Sequence, residues 1–276
     1  MAPIKSSLAR TVSRLLGVSK DTDLSLRGDV QNTRFKFIPV SATGGTTSEP
    51  GNGYKYHFFT SSDDFVVTGA GDIDYLVVGG GGGGGNSSGN TPGAGGGGAG
   101  GFRELIGQPI TPGTYPVVIG DGGSAGTADG PYTNPPSPAT NGSPSSFNGL
   151  VSAGGGHGGM HPQAAPGQAE SGGSGGGSSG PYGAGAGNTP PTSPPQGHPG
   201  GNHNSSAGGG GGGAAEGGED APSSTVGGAG GDGLAAFSGD GGIPSSYGEA
   251  GPTPGRSSMP TSGPSSSSGI IVTGSS

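Results

Sequence analysis

The sequence predicts a mainly β and irregular fold: a short N-terminal amphipathic helix, a small β-hairpin or sheet region, and a glycine-rich body packed as polyglycine-II or polyproline-II-like helices. Three observations lead there. Of the 276 residues, 72 are Gly and 26 are Pro, against 26% hydrophobic residues and no Trp or Cys. That leaves too little side-chain material for a large α/β enzyme or a helical bundle. The Gly spacing follows no strict every-third-residue rule, which excludes a collagen triple helix. The apolar residues that do occur stand in a few short alternating runs, mostly ahead of the glycine runs. No apolar run is long enough for a transmembrane helix, and the N-terminus lacks the apolar core of a secretory signal.

Residues 1–36 form the first unit. Ile4, Leu8, Val12, Leu15 and Leu16 recur at helical spacing, Pro3 suits a first turn and Gly17 a C-terminal cap. Lys5, Arg10 and Arg14 lie off that stripe. A helix this short needs a partner for its apolar face. Docking on another subunit, a cleavable mitochondrial-type presequence and a membrane-surface helix all fit. Residues 21–40 continue as an extended connector, and 37–53 read as a polar, turn-rich linker.

The β region spans 54–78. Tyr54, Tyr56 and Phe58 alternate, Ser61 to Asp64 makes a turn, and Phe65 to Thr68 returns as the hairpin partner. Ile73 to Val78 is a third strand running straight into a glycine run at 79–85. Tyr115 to Ile119, Phe147 to Val151 and a last strand at Ile270, Ile271 and Val272 complete a small sheet or sandwich.

The unit 79–276 is the glycine-rich domain, with runs at 79–85, 95–98, 154–156, 175–177 and 208–213 and Pro-rich tips between them. A polyproline-II-like chain has no internal hydrogen bonds, so its N–H and C=O groups can bond sideways to neighbours that glycine allows to come close. On this expectation the longest glycine runs are the most enclosed, no side chain enters the bundle interior, and Pro, Asn, Ser and Tyr gather in the end loops. Pro190, Pro191, Pro194 and Pro195 favour a polyproline-II tip.

Charge is unevenly distributed. Residues 1–36 hold seven basic and three acidic groups, about +4, whereas the rest carries three basic and 15 acidic groups. A body so acidic repels phosphate backbones, which excludes nucleic acid as a partner. No residues suggest catalysis or a cofactor. Poly-Gly generates GxGxxG trivially without the helix a phosphate loop needs. Gly172-Gly173-Ser174-Gly175-Gly176 lacks the strand and helix of a nucleophile elbow. His157, His161, His198 and His203 read as loop histidines rather than metal ligands. Asp232 sits in one accidental copy of a Ca²⁺ nonapeptide, and Arg27-Gly28-Asp29 reads as a turn.

Over about residues 54–276, with Ile73-Asp74-Tyr75-Leu76-Val77-Val78 and its glycine run as the signature, the chain resembles the glycine-rich domain of bacteriophage tail fibres and adhesins. Phe65-Val66-Val67, Phe102-Arg103-Glu104, Pro112-Gly113-Thr114-Tyr115-Pro116-Val117-Val118-Ile119-Gly120, Ser145-Ser146-Phe147 and Ala153-Gly154-Gly155-Gly156 follow in that family's order, and Gly269-Ile270-Ile271-Val272 resembles its terminal element. The ending Thr273-Gly274-Ser275-Ser276 departs from the family's basic-aromatic finish and leaves the partner of the last strand open. Residues 5–28 are similar to a leader of marine phage structural proteins.

The resemblance implies a virion protein on the tail or capsid exterior: a short fibre or tail-associated appendage attached to other virion proteins through residues 1–36. Ile4, Leu8, Val12, Leu15, Leu16, Arg10 and Arg14 are its attachment residues. Two loops are expected to contact a host receptor, a glycan or an outer-membrane protein, through Tyr132, Asn134, Pro135 and Pro136, and through Asn188, His198, Asn202 and His203, joined by Tyr182. A capsid decoration fibre and a non-viral glycine-rich structural protein with a presequence are the alternatives, and a homotrimer is the habit of phage fibres. No metal, cofactor, enzymatic activity or membrane insertion is expected.

Overall fold

The computed structural model describes residues 40–50, 53–87, 93–127, 138–160, 168–236, 246–247 and 269–275. The expected N-terminal helix, the connector and the attachment residues Ile4 to Leu16 lie outside the described residues, as do Tyr132, Asn134, Pro135, Pro136 and His161. What is described is built from strands and irregular segments, with no helix among the described residues.

The described residues form twelve strands in chain order: β1 (Ala42–Thr43), β2 (Thr46–Ser48), β3 (Tyr54–Phe59), β4 (Asp63–Val67), β5 (Gly71–Val78) and β6 (Phe102–Ile110), then β7 (Gly113–Val118), β8 (Ser145–Phe147), β9 (Leu150–Ser152), β10 (Leu234–Ala235), β11 (Ser246–Tyr247) and β12 (Gly269–Ser275). Ten of them form two five-stranded antiparallel sheets, ordered β1-β4-β7-β8-β9 and β2-β3-β12-β5-β6, and β10 pairs with β11. The stretch read as linker, 37–53, thus supplies an edge strand to each large sheet.

The expected hairpin between β3 and β4 does not form. β3 pairs with β2 and β12, and β4 with β1 and β7. The two strands lie in opposite sheets, where Phe59 and Phe65 meet as T-shaped rings 6.2 Å apart across the interface. Alternation had marked both segments as half-buried strands; it satisfies face-to-face stacking as well as lateral pairing.

One cluster fills the space between the sheets: Phe65, Val67, Val117, Phe147 and Leu150 from one, Phe59, Ile73, Tyr75, Val77 and Ile110 from the other. Phe147 is its hub, with Tyr75 and Phe65 edge-on at 5.1 and 5.8 Å. A second cluster covers the other face of the β5 sheet, where Tyr56, Leu76, Val78 and Phe102 pack with Ala214 and Ala236 of the glycine-rich body. β5 is therefore buried on both faces, which explains its near-continuous apolar run.

Two further features of the sheets escaped the sequence reading. The single apolar run read from Phe147 to Val151 is the hairpin β8–β9, closed by Asn148 (φ 46°) and Gly149 (φ 78°). The Asn-Gly dipeptide is the standard sequence for a two-residue turn with both φ values positive. β6 shows little alternation because it is a sheet edge with a bulge opposite Asp74. Gly107 takes φ 62° there and donates its N–H to Asp74 Oδ1 at 2.6 Å. Pro109 is tolerated because an edge strand leaves one row of N–H positions unpaired.

His57 lies in the interior, edge-on to Phe65 at 5.1 Å, with Nδ1 2.8 Å from the Gly44 carbonyl oxygen. Burial pushes its pKa below 6.5, outweighing the Gly44 hydrogen bond; nearby Lys55 lowers it further and Glu49 opposes. With the folded pKa below the unfolded one, protonation favours the unfolded chain. Stability is complete above about pH 6.5 and falls as the pH drops from there toward the folded value. Urea midpoints at pH 8, 6.5 and 5 are expected to fall more steeply for the wild type than for His57→Gln; equal slopes would exclude this histidine as the cause.

Candidate functional site: the end of the glycine bundle

Five segments continue directly out of the sandwich: 79–85 after β5, 93–101 before β6, 119–126 after β7, 138–144 before β8 and 153–160 after β9. They bond to one another, and to the later glycine segments, through backbone groups spaced three residues apart. Gly79, Gly82 and Gly85 donate to Gly101, Gly98 and Gly95, whereas Gly80 and Gly83 donate to Ser143 and Thr140 on another side. A β-strand would send its bonds to two neighbours with period two. Period three sends them to more.

The 174–178 segment is the fullest case. Ser174 and Gly177 donate to Ala99 and Gly96; Gly175 and Ser178 donate to His198 and Gly201; Gly176 donates to Glu170. Their carbonyls accept from Gly156 and Gly159, from Gly212 and Gly209, and from Gly185. Every N–H and C=O in these five residues is thus paired, with six surrounding segments. No buried backbone group is left unpaired there, although no strand or helix is present.

Close approach is what demands glycine. A Cβ added to Gly175, Gly176 or Gly177 would lie under 3.0 Å from backbone atoms of a neighbouring segment. Enclosure follows the glycine runs only in part: 208–213 is buried throughout, but in 79–85 Gly82 and Gly84 are half-buried. The expectation that no side chain enters the interior is also corrected. Ala99, Ser174 and Ser178 are fully buried, and His157 and Gln196 nearly so. The serines sit at the two ends of their segment, where Ser174 Oγ donates to the Gly213 carbonyl and Ser178 Oγ accepts the His203 N–H. The two serines thus enter where their segment ends and a polar partner exists.

The ladders fix which loops share an end. The 79–85 and 93–101 segments are antiparallel, with Gly79 opposite Gly101 at the sheet end and Gly85 opposite Gly95 at the far end. The 174–178 segment runs away from the sheets, since Gly156 and Gly159 donate to Ser174 and Gly177 in parallel order. Following these directions, 180–183, 203–206 and 222–225 turn at the far tip. The bends at 172–174, 189–196 and 214–216 turn at the sheet end.

This splits the second expected contact loop in two. Tyr182, Asn202 and His203 are at the far tip. Asn188 and His198 are at the sheet end, because the extended segment 197–203 carries the chain from one end to the other, roughly 20 Å at about 3.1 Å per residue. Asn188 organises the Pro-rich bend: its Oδ1 accepts from the Thr192 N–H at 2.9 Å, the Thr192 hydroxyl at 3.0 Å and the Gln196 N–H at 3.2 Å. The buried Gln196 ties that bend to the sandwich, donating to the Pro190 carbonyl at 2.7 Å and accepting from the Ala153 N–H at 2.9 Å. The Thr189-Pro190 and Ser193-Pro194 bonds are cis, where an extended polyproline-II tip was expected.

At the far tip, Tyr182 is exposed and Asn202 bridges two loops, accepting the Ala184 N–H on Oδ1 at 3.4 Å and donating its own N–H to Asp220 Oδ1 at 2.5 Å. Asp220 was missed in the sequence. The signal for it was the alternation of ends: with reversals at every glycine segment, every second turn belongs to the same tip. Among the described residues no group of three or more His, Asp or Glu is arranged to hold a metal ion.

A family profile described as a glycine-rich domain matches residues 60–275, most of the chain. The chain belongs to the glycine-rich domain family. The match runs from just before β4 to the end of β12, so it takes in β4 to β12 as well as the bundle, while β1, β2 and β3 precede it. Its closing strand answers the question left open by the unusual ending: Ile270–Ser275 lies between β3 and β5, antiparallel to both. No curated protein and no solved structure matches the chain.

Proposed function

We propose that this glycine-rich domain is a rigid display body on a virion: a short fibre or tail-associated appendage that attaches to other virion proteins through residues 1–36 and presents its far tip to a host surface. The body is a polyglycine-II-type bundle in this reading. The observation that carries it is the six-sided pairing of 174–178, since three-residue periodicity with wholly external hydrogen bonds is what a left-handed threefold chain supplies. A bundle of this kind needs almost no side chains internally. Its sequence freedom is therefore concentrated in the end loops, which suits a display role better than an enzymatic one.

Tip and attachment stand on different parts of the chain. The described body begins at Val40 beside the sandwich core, at the opposite end from the tip loops 180–183 and 203–206. The basic amphipathic segment, with Leu8, Val12 and Leu15 on its stripe, precedes it. A capsid decoration fibre remains the alternative and differs in copy number, tens to hundreds per particle against a few to a few tens. The decisive experiment is adsorption of the purified full chain to permissive cells, with virions lacking the protein assayed in parallel. Saturable adsorption and impaired infection are expected; no adsorption together with normal infection by the deletion virions would defeat the reading.

A further inference from the structure

We infer that the far tip of the bundle, formed by Tyr182, Asn202, His203 and Asp220, binds an uncharged saccharide. This rests on the receptor reading above and commits it to one ligand class.

The first reason is preorganisation. Three loops from different segments are tied together by hydrogen bonds, one between backbone groups and two from a backbone N–H to a side-chain oxygen. The Asn202 N–H donates to Asp220 Oδ1, the Ala221 N–H to the Asn202 carbonyl at 2.8 Å, and the Ala184 N–H to Asn202 Oδ1. The His203 N–H is held by Ser178 Oγ at 2.7 Å, at the end of the six-sided segment. Little entropy remains to be lost on binding.

The second is the polar inventory that these bonds leave over. Among the described residues, the second carboxylate oxygen of Asp220, the amide NH₂ of Asn202 and Nε2 of His203 carry no hydrogen-bond partner, so acceptors and donors stand together. Sugar hydroxyls donate and accept at once and use such a mixture. Tyr182, 46% exposed and two residues before Ala184, adds an amphipathic ring for the apolar face of a pyranose.

The third is charge. Between Arg103 and Arg256 the sequence contains no Lys or Arg, while Glu219 and Asp220 are exposed at the tip. Phosphorylated, sulfated or sialylated glycans would meet carboxylates with no cation to pair them. A protein receptor is disfavoured on other grounds, since a stable interface wants about 800 Å² per side with several aromatic or Arg anchors. Among the described residues this tip carries a single Tyr, Phe or Trp, Tyr182.

The test uses the full chain on an array of immobilised oligosaccharides, with neutral hexose and N-acetylhexosamine chains beside sialylated, sulfated and phosphorylated ones. Retention on a subset of the neutral chains is expected. Tyr182→Ala should weaken it at least tenfold and Asp220→Asn severalfold, whereas Thr192→Ala at the sheet end should change it less than twofold. Exclusive binding to charged glycans, retention on none, or full retention by Tyr182→Ala would overturn the inference. Adsorption to periodate-treated permissive cells separates it from the reading beneath it. Loss after periodate supports the saccharide. Adsorption that survives periodate but not protease overturns it and leaves the receptor role standing, and no adsorption to untreated cells brings down both.

Discussion

Gly176→Ala is expected to destabilise the bundle severely, while Gly84→Ala, inside the longest glycine run, is expected to be neutral or slightly stabilising. The two substitutions add the same methyl group to segments of the same kind. At Gly176 the Cβ would be driven into the His157 carbonyl and the Gly158 nitrogen. Neither can retreat, because the segment carrying them is held by bonds from Gly156 to Ser174 and from Gly159 to Gly177, both at 2.9 Å. Overpacking by a methyl group usually costs about 1–3 kcal/mol when side chains can adjust. Here the obstacle is backbone, and moving it breaks neighbouring hydrogen bonds at about 0.5–1.5 kcal/mol each. A loss of about 4 kcal/mol or more is therefore expected, against a total stability of about 5–15 kcal/mol for a typical domain.

At Gly84 an added Cβ meets nothing within 4 Å and the backbone φ lies outside the left-handed region. Ala there removes freedom from the unfolded chain, an effect of about 0.4–1 kcal/mol in favour of folding. Urea denaturation followed by far-ultraviolet circular dichroism measures both. A Gly176→Ala midpoint within about 0.5 kcal/mol of wild type would mean that the segments can slide apart and that the lattice is not close-packed.

Removal of residues 269–276 is expected to be as damaging, although it shortens the chain by only eight residues at its end. β12 is not an edge. It pairs with six residues of β3 on one side and six of β5 on the other. Its loss separates the two strands that carry Tyr56, Leu76 and Val78, and with them the contact to Ala214 and Ala236. Each buried backbone group left unpaired costs about 1–3 kcal/mol, so a handful would consume the whole stability of a domain. The truncated chain should lose its cooperative unfolding transition. A synthetic peptide of residues 266–276 added in trans should restore it, because the vacated site has hydrogen-bonding edges on both sides. A truncated chain with unchanged stability would overturn the placement of β12.

Particular residues show how much was legible. Tyr54, Tyr56 and Phe58, Ile73 to Val78 and Ile270 to Val272 all lie in strands as their pattern predicts. What alternation could not say was whether consecutive strands pair or stack, and β3 and β4 stack. Asn148-Gly149 carried a readable turn signal and was passed over within an apolar run. At the tip, Tyr182, Asn202 and His203 were recognisable as polar loop residues, but His198 and Asn188 were grouped with them only because they are close in sequence. An extended segment makes neighbours in sequence distant in space.

Composition dictated how the glycine runs are packed: with 72 glycines and few large side chains, backbone hydrogen bonds between closely approaching chains are what could hold those runs together. The sequence also marked where side chains return, at the turns and in the strands. The tertiary structure alone decided which segments are neighbours, which glycines admit a methyl group and which loops meet at one end. The reason is that glycine runs are nearly identical as local sequence. Their differences arise from what stands beside them in another segment, as with the His157 carbonyl at Gly176 and the open space at Gly84.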